Sequence, residues 1–316
     1  MPAVRRTRQP VTGYDRLLRM VGDEASDLME GQFMVDDGEP RRARAELRNG
    51  TDDWKPTVLD TTHPTPARMY DYFLGGKDNF AVDREAAERV KEAVEDTYES
   101  VWENRYFLQR AVRTLAEAGI DQFLDLGTGL PTQGNVHEVA QEINPAARVV
   151  YVDNDPIVLA HGRALLADNA STTVITGDMR EPDKILQHPD VQDLIDFSRP
   201  VAVLFVAVFH FIRESEAPDT ILRAFREAMA PGSYLALSHL TTDGPPPEAV
   251  ARTEAIYQNA TSPIVFRPRE RIASFFEGFD LLEPGLTRAW DWRPDPTDKI
   301  RTDWLYAGVG RLADER

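Results

Sequence analysis

The apolar positions of the chain first follow a helical repeat and then gather into short runs. Between residues 84 and 118 they recur three or four positions apart, which predicts two helices, Arg84 to Thr97 and Val101 to Ala118. Gly119 follows the second helix and is typical of a helix end. Because both helices precede the first apolar run, we expect a helical N-terminal segment in front of a sheet.

Beyond residue 120, five apolar runs alternate with segments of helical spacing. Such alternation is typical of a parallel sheet that is covered by helices on both faces. The predicted strands are Gln122 to Leu126, Arg148 to Asp153, Thr173 to Thr176, Val201 to Val208 and Ser233 to Ser238, with one helix ending near Ile143, one beginning at Pro156 and one over Ile221 to Met229.

The last two apolar runs, Phe279 to Arg288 and Trp304 to Leu312, have no helix between them. Consecutive strands without a crossover helix pair in the antiparallel direction. The predicted fold class is therefore α/β, with a Rossmann-like, doubly wound and mostly parallel sheet of seven strands. Its last strand is expected to be antiparallel.

Residues 1–60 have a different composition, since they mix charge runs such as Arg41-Arg42 and Asp52-Asp53 with few aromatic residues. A segment that buries little apolar surface does not gain enough to offset its chain entropy. We expect a flexible extension over 1–60 and one folded domain over 61–316, which begins with the two prolines of Thr61 to Pro66. The alternative is a docked helical arm that uses the amphipathic stretch Tyr14 to Met20.

Composition and net charge exclude several classes of function but do not identify one. The 316 residues carry a net charge of −17, which disfavours a nucleic-acid partner. There is no cysteine, which excludes disulfides, iron–sulfur clusters and thiol nucleophiles and suits a cytoplasmic location. The most apolar run, Val201 to Ile212, is too short to span a bilayer, and no apolar signal segment follows the basic N-terminus. We expect a soluble protein without a membrane partner or a metal site.

The segment Asp125-Leu-Gly127-Thr-Gly129 lies where the first predicted strand ends and a helix begins. Glycines let the backbone approach a ligand closely, and a helix N-terminus points at that ligand. A dinucleotide-binding turn has a third glycine where Thr132 stands, and Asp125 would repel a pyrophosphate. The turn therefore favours a ligand with a cationic amine, although a plain tight connection also fits the two glycines.

Two further acids, Asp153 and Asp178, follow the second and third predicted strands. A carboxylate after the second strand can accept hydrogen bonds from both hydroxyls of a ribose, and one after the third can accept from the amine of adenine. Each acid alone is more often a turn or cap residue. The three acids together, at one edge of a parallel sheet, indicate an adenosine with a cationic amino-acid end and no phosphate, which is S-adenosylmethionine.

The order of elements resembles a class I S-adenosylmethionine-dependent methyltransferase. Three motifs, over residues 67–79, 104–112 and 122–132, resemble more narrowly a bacterial family that is called the S-adenosyl methyltransferase family and is common in actinobacteria. They read ARMYDYFLGGKDN, NRYFLQRAV and QFLDLGTGLPT, and the resemblance covers about residues 61 to 312. The class often has glycine where Pro131 stands, whereas this family tolerates Leu-Pro-Thr there.

The resemblance implies a role for each matching residue. It places the methionine part of the cofactor at the glycine turn, its carboxylate at Arg105, its ribose at the second strand and its adenine after the third. The implied cofactor-binding residues are Arg105, Asp125, Gly127, Gly129, Asp153, Asp178 and Met179, with Asn154 a further candidate at the adenine or ribose. Arginine suits a carboxylate because its guanidinium binds both oxygens, but Arg105 also fits a surface position on a helix.

The methyl acceptor is less well defined by the sequence. The fourth strand ends in Ala207-Val-Phe-His210-Phe and not in the Asn/Asp-Pro-Pro-Tyr pattern of enzymes that methylate amino groups of bases or of glutamine. We therefore expect a small-molecule O or N acceptor. His210 and His239 are candidate bases, although a histidine near a sheet end is more often structural. A non-catalytic sensor of the cofactor and a nicotinamide dehydrogenase are the alternatives.

The segment Arg68 to Asn79 combines aromatic residues with the pair Gly75-Gly76. One interpretation is a lid that closes over cofactor and substrate and excludes water. The other is a helix that simply ends at the two glycines.

Overall fold

The computed structural model describes residues 60–132, 134–166 and 169–313 of the chain. The predicted N-terminal extension, apart from residue 60, and its stretch Tyr14 to Met20 therefore lie outside the described residues. Within the described part, no helix is both long and apolar enough to cross a membrane.

Three helices precede the sheet: α1 (Pro66–Phe73), α2 (Ala81–Ala93) and α3 (Thr97–Glu117). Proline at the first position of α1 is favourable because its missing amide would have no partner there, and the Thr65 hydroxyl caps the helix by accepting from the Arg68 amide. The predicted helical segment is thus confirmed. The helix predicted to end at Thr97 ends at Ala93, and the next begins at Thr97 rather than at Val101.

The remaining elements form one sheet and its covering helices. The strands are β1 (Gln122–Leu126), β2 (Arg148–Asp153), β3 (Thr172–Thr176), β4 (Ala202–Val206), β5 (Tyr234–Leu240), β6 (Phe279–Leu281), β7 (Thr287–Arg288) and β8 (Leu305–Leu312). The helices are α4 (Val136–Ile143), α5 (Pro156–Leu165), α6 (Pro182–Leu186), α7 (Pro189–Leu194), α8 (Pro218–Ala228), α9 (Pro247–Tyr257) and α10 (Arg269–Ser274), with short 3₁₀ turns at Phe209–Phe211, Glu214–Glu216 and Ala289–Asp291.

The strand order in the sheet is β3-β2-β1-β4-β5-β8-β6, and β7 pairs with β8. Strands β1 to β5 are parallel, whereas β8 is antiparallel to β5, β6 and β7. The continuous apolar runs of β1 and β4 follow from burial on both faces of the sheet. The mixed α/β fold, its doubly wound parallel part and the antiparallel last strand are confirmed.

The strand path has the seven strands that were predicted, and β7 is an additional two-residue strand that pairs with β8. The run over 279–288 forms two short strands, β6 and β7, because Pro284 and Gly285 turn the chain between them. Proline has no amide hydrogen for a strand ladder. Gly285 has a φ of +88°, and its amide donates to the Leu282 carbonyl to close the turn.

The two-residue repeat of the strands places the acids on one face of the sheet. Asp125 is in register with Tyr151, so Asp125 and Asp153 point to the same side as Phe123. Leu124 and Leu126 point to the opposite side, into the other apolar layer. Helix α3 packs against the first layer, which brings its polar residues toward the two acids.

Candidate functional site

A cavity of about 450 Å³ lies between the carboxyl ends of β1 to β5 and helices α1, α2, α3 and α9. It includes the point between β1 and β4 where the strand order reverses, which is where open α/β sheets bind ligands. All the candidate residues line it: Arg105, Asp125, Gly127, Gly129, Asp153, Asn154, Asp178, Met179 and His210. The fold thus brings the predicted residues together, while the role of each stays a prediction.

Asp125 is the last but one residue of β1 and is only 6% exposed. Its Oδ2 accepts a hydrogen bond of 2.6 Å from the Thr128 hydroxyl. Burial raises the pKa of Asp125 to about 6, although the Thr128 hydrogen bond and the charge of Arg105 act in the opposite direction. A buried carboxylate without a paired positive charge is unfavourable. A cationic group of a ligand beside Asp125 would therefore stabilise the ionised carboxylate.

Asp153 at the end of β2 is 8% exposed and contacts two backbone amides. Its Oδ2 accepts from the Gly129 amide at 2.8 Å and its Oδ1 from the Asp155 amide at 2.9 Å. Burial again raises the pKa to about 6 against these hydrogen bonds. Each carboxylate oxygen keeps a further lone pair, so Asp153 can hold the glycine turn and still accept from a diol.

The two glycines of the turn have different surroundings. Gly127 and Gly129 have φ values of +69° and +68°, the left-handed region that favours glycine. A Cβ on Gly127 would overlap the side chain of Val208, so this glycine allows the turn to pack on the chain after β4. A Cβ on Gly129 would meet nothing within 4 Å, which leaves room for a ligand against the backbone.

The residues after β2 and β3 lie farther along the same edge of the sheet. Asn154 is exposed, while Asp178 and Met179 are half-buried. The Asp178 carboxylate accepts from the Arg180 backbone amide at 2.9 Å and from its guanidinium at 3.0 Å. One lone pair on each oxygen is thereby used, so Asp178 can receive an adenine amine only alongside Arg180.

Arg105 is buried on α3 rather than exposed on the helix surface. Its Nη2 donates to the Gly134 carbonyl at 3.2 Å, beyond the glycine turn. The surface alternative from the sequence is therefore wrong. Because its charge also lowers the pKa of Asp125, the guanidinium lies within electrostatic reach of that carboxylate.

A hydrogen-bonded chain that the sequence did not reveal connects α1, α3, β5 and the end of β4. Asn104 donates to the Tyr70 hydroxyl at 2.9 Å and accepts from the Ser238 hydroxyl at 2.5 Å. The Ser238 oxygen accepts from the Ala207 amide at 2.8 Å. Ala207 has a φ of +53°, a conformation that costs a non-glycine residue about 1–2 kcal/mol. The chain thus holds a strained residue in the cavity wall.

The two candidate histidines differ in position and in protonation. His210 lines the cavity, is 4% exposed, and its Nδ1 accepts from the Leu240 amide at 3.4 Å. Burial, together with the charge of Arg267, lowers its pKa to about 3, so the ring is neutral and a weak base at neutral pH. His239 is fully buried in β5, where its Nε2 accepts from Arg267 at 2.7 Å. His239 is structural.

The segment predicted as a lid has two parts. Arg68, Tyr70 and Phe73 of α1 form part of the cavity wall. The Gly76 amide donates to the Asp71 carbonyl, the cap bond of a helix that ends at two glycines. The Asp71 carboxylate accepts hydrogen bonds from the backbone amide of Asp78 and the side-chain amide of Asn79. These bonds fold residues 74–79 back on α1. The helix-end interpretation thus holds for the glycines, and motion of α1 stays a prediction.

The cavity fits S-adenosylmethionine in charge and in shape. Two buried carboxylates face it without a direct salt bridge among the described residues, and such groups favour a cationic ammonium. The open space at Gly129 allows a ligand to approach the backbone. Arg105 supplies a positive charge for a carboxylate within the same space.

The part of the cavity beyond β4 and β5 contains residues that the sequence analysis missed. They share no motif and come from separate elements: Val94, Val101, Phe211, Tyr257, Phe266 and Trp304. The one signal in the sequence was the helical spacing over 247–257, which α9 follows. Their convergence depends on tertiary packing.

Comparison with known proteins places the chain among relatives of similar fold. A model of the S-adenosyl methyltransferase family matches residues 52–313. A protein of Thermobifida fusca YX, named as a proposed methyltransferase, is 46% identical over 83% of this chain and 100% of its own, with a TM-score of 0.76. A DUF574 family protein of Streptomyces avermitilis MA-4680 is 40% identical over 80% of this chain and 98% of its own, also with a TM-score of 0.76. No curated protein matches the chain.

Proposed function

The chain belongs to the S-adenosyl methyltransferase family, and from that premise we propose that it transfers a methyl group from S-adenosylmethionine to an oxygen or nitrogen atom of a small molecule. S-adenosylmethionine is the methyl donor of this family. The observation that carries the proposal is the pair of buried carboxylates, Asp125 and Asp153, beside an open glycine turn in one cavity. A nicotinamide dehydrogenase does not fit this family.

At the methionine end, Asp125, Gly127 and Gly129 would surround the amino-acid part of the cofactor. The ionised Asp125 attracts the ammonium group, and the missing side chain at Gly129 lets the backbone amides come close. Arg105, which is buried on the same side, would bind the carboxylate with its guanidinium.

At the adenosine end, Asp153 would accept hydrogen bonds from the ribose hydroxyls, with Asn154 at the rim of the cavity. Asp178 and Met179 would contact adenine, the first through its carboxylate and the second through its thioether. Support for these assignments is positional, since the four residues follow β2 and β3 at the cavity edge. Because Arg180 already donates to both oxygens of Asp178, an adenine amine would share that carboxylate with Arg180.

When bound, the cofactor supplies a methyl group on a positively charged sulfur, which keeps the electron pair of the broken C–S bond as the acceptor's lone pair forms the new bond. The residues of this chain bind the cofactor and the acceptor, align them and exclude water. Alignment of the two reactants accounts for much of the rate of methyl transfer. Since the pKa of His210 is about 3, it is a poor proton acceptor at neutral pH. We propose that His210 acts instead as a neutral hydrogen-bond donor.

The acceptor is proposed to be a small molecule because the cavity is enclosed by helices and the net charge of −17 disfavours nucleic acid. A cytoplasmic location, an actinobacterial origin and a boundary near residue 60 between extension and domain belong to the same proposal. The lack of cysteine supports the cytoplasmic location. The family match supports the origin and, because it begins only at residue 52, a boundary between extension and domain.

The deciding experiment separates an enzyme from a sensor. The protein is incubated with methyl-tritiated S-adenosylmethionine and small-molecule fractions of a cell extract, and tritium is followed into products. We expect transfer into one fraction and loss of transfer with Asp153→Ala. Cofactor binding by calorimetry without transfer into any fraction would favour the sensor, and absence of cofactor binding would exclude both.

A further inference from the structure

The cavity has a second half that the proposed cofactor residues do not reach. This distal half lies beyond β4 and β5, between α2, α9 and residues 261–266. Its walls are mostly aromatic and aliphatic: Phe211, Ile264, Phe266 and Trp304 lie around it, together with Val94, which directly follows α2. The Phe266 and Trp304 rings are 6.2 Å apart, a distance typical of aromatic packing.

The charged residues that line the cavity belong to α1 and the residues before it, to α3 at Arg105 and to the ends of β1 to β3, whereas the lining residues named for the distal half are uncharged. Burying an ion in such surroundings is expensive. The distal half therefore disfavours a charged acceptor such as an amino acid, a phosphate or a carboxylate. Its aromatic walls favour a flat, uncharged ring that can pack against them.

Three hydroxyl groups on this side are already used by backbone carbonyls nearby in the chain, whereas Thr261 and Ser262 lie at the more exposed rim. The Ser100 hydroxyl donates to the Thr97 carbonyl, the Thr97 hydroxyl to the Val94 carbonyl, and the Thr253 hydroxyl to the Ala249 carbonyl. These bonds leave the three groups without a spare donor for a ligand.

Tyr257 is different from these residues. It is 6% exposed and lines the cavity, and burial raises its pKa with no opposing hydrogen bond or charge. Within 60–132, 134–166 and 169–313, its hydroxyl makes no hydrogen bond. The hydroxyl opens on the cavity and is not sealed inside the protein, so it is available to hydrogen-bond a ligand there.

His210 provides a second polar group near Tyr257. The centroid of the Phe211 ring is 4.6 Å from that of His210 and 5.8 Å from that of Tyr257. Since Nδ1 of the neutral His210 ring accepts from Leu240, its proton is on Nε2, which is a donor. Two hydrogen-bonding groups thus flank Phe211 in an otherwise apolar space.

We propose that the distal half binds an uncharged, planar aromatic acceptor whose hydroxyl group is hydrogen-bonded by the Tyr257 hydroxyl, with Nε2 of His210 as a second donor. This inference rests on the proposed function and adds the class of the acceptor to it. Tyr257 is the residue that recognises the hydroxyl, and the aromatic walls recognise the ring.

The test uses two probes that differ by one hydroxyl, 7-hydroxycoumarin and coumarin. Each is titrated by calorimetry into the full chain saturated with S-adenosylhomocysteine. We expect 7-hydroxycoumarin to bind about tenfold more tightly than coumarin, the effect of one hydrogen bond of about 1.4 kcal/mol. Tyr257→Phe, which keeps the ring, should reduce this difference severalfold, because only the His210 contact remains, and leave the affinity for coumarin unchanged; an unchanged difference would overturn the role of Tyr257.

The control is Tyr234→Phe. It removes a hydroxyl at the first residue of β5, which does not line the cavity, and it should bind both probes as the wild type does. An equal loss of affinity for both probes with Tyr257→Phe would mean a structural role and overturn the proposal. Failure of both probes to bind would overturn the aromatic class. Binding of S-adenosylhomocysteine, measured first, keeps these outcomes distinct from a failure of the proposed function.

Discussion

The carboxylate of Asp153 accepts a hydrogen bond of 2.8 Å from the backbone amide of Gly129, across the gap between β2 and the turn after β1. The residue that we propose to bind the ribose is thus also the residue that fixes the glycine turn. On this proposal one side chain couples cofactor binding to turn geometry, and a change at Asp153 affects both.

The first prediction concerns this coupling. Asp153→Ala should weaken binding of S-adenosylhomocysteine by about 1–3 kcal/mol, because a ligand partner and the acceptor of the Gly129 amide are both lost. Calorimetry measures the affinity, and Asp280→Ala, an exposed carboxylate in β6, is the matched control. Unchanged affinity in Asp153→Ala would place the ribose elsewhere.

The second prediction separates stability from binding at Asp125. Its pKa is raised by burial to about 6 from an ordinary 3.8, so the ionised group destabilises the ligand-free fold at pH 7.5. Asp125→Asn should raise the free energy of unfolding by up to about 3 kcal/mol while lowering the affinity for S-adenosylhomocysteine. Urea unfolding without ligand tests the first effect. A destabilised variant would show that the charge is compensated in the free protein.

The third prediction is a pH dependence of binding. Asp125 and Asp153 both have a pKa of about 6 in the ligand-free fold, and the proposed contacts favour their ionised forms, through the ammonium group of the ligand at Asp125 and the ribose hydroxyls at Asp153. Affinity for S-adenosylhomocysteine should be constant above pH 7 and fall as the pH drops through 6, by up to tenfold per pH unit for each group. Titrations from pH 5 to 8 measure this. In Asp125→Asn the fall should be shallower, and an identical profile would exclude Asp125 as the responsible group.

The fourth prediction compares the two glycines of the turn. Gly129→Ala should cost about 1–2 kcal/mol of stability, since only its left-handed φ opposes the change. Gly127→Ala should cost about 2–5 kcal/mol because it also overlaps Val208. Gly129→Ala, although the milder change for the fold, should still reduce cofactor affinity by filling the open space. Wild-type affinity in Gly129→Ala would mean that the ligand does not approach this backbone.

The fifth prediction concerns the end of α1. A Cβ on Gly76 would overlap the Asp71 carboxylate, so Gly76→Ala should lower stability by about 1–3 kcal/mol. In an Asp71→Ala background the same change should cost little, which a double-mutant cycle measures as coupling. Additive losses would show that Gly76 is sensitive for another reason, such as closure over the cofactor.

Part of this architecture is already determined by local sequence. The runs of β1, β2 and β4 are apolar on both faces, and a helical repeat lies between them, so a parallel α/β sheet is the arrangement that buries them. Acids that directly follow successive parallel strands must share one edge. For this reason the sequence could predict that Asp125, Asp153 and Asp178 line one cavity. The short helices α6, α7 and α10 were missed because one or two turns give too little periodicity, whereas α9 does show helical spacing over 247–257 and was not recognised.

The tertiary structure alone decided which polar groups remain available in that cavity. The sequence presents His210 and His239 as equivalent, yet the fold buries one against Arg267 and gives the other a pKa of about 3. The sequence likewise cannot show that the ring of Tyr257 lies near that of Phe211, 46 positions away. Nor can it show that the Tyr257 hydroxyl has no partner in the described residues. Protonation and hydrogen bonding depend on neighbours brought together from distant segments, whereas strand and helix patterns depend on neighbours along the chain.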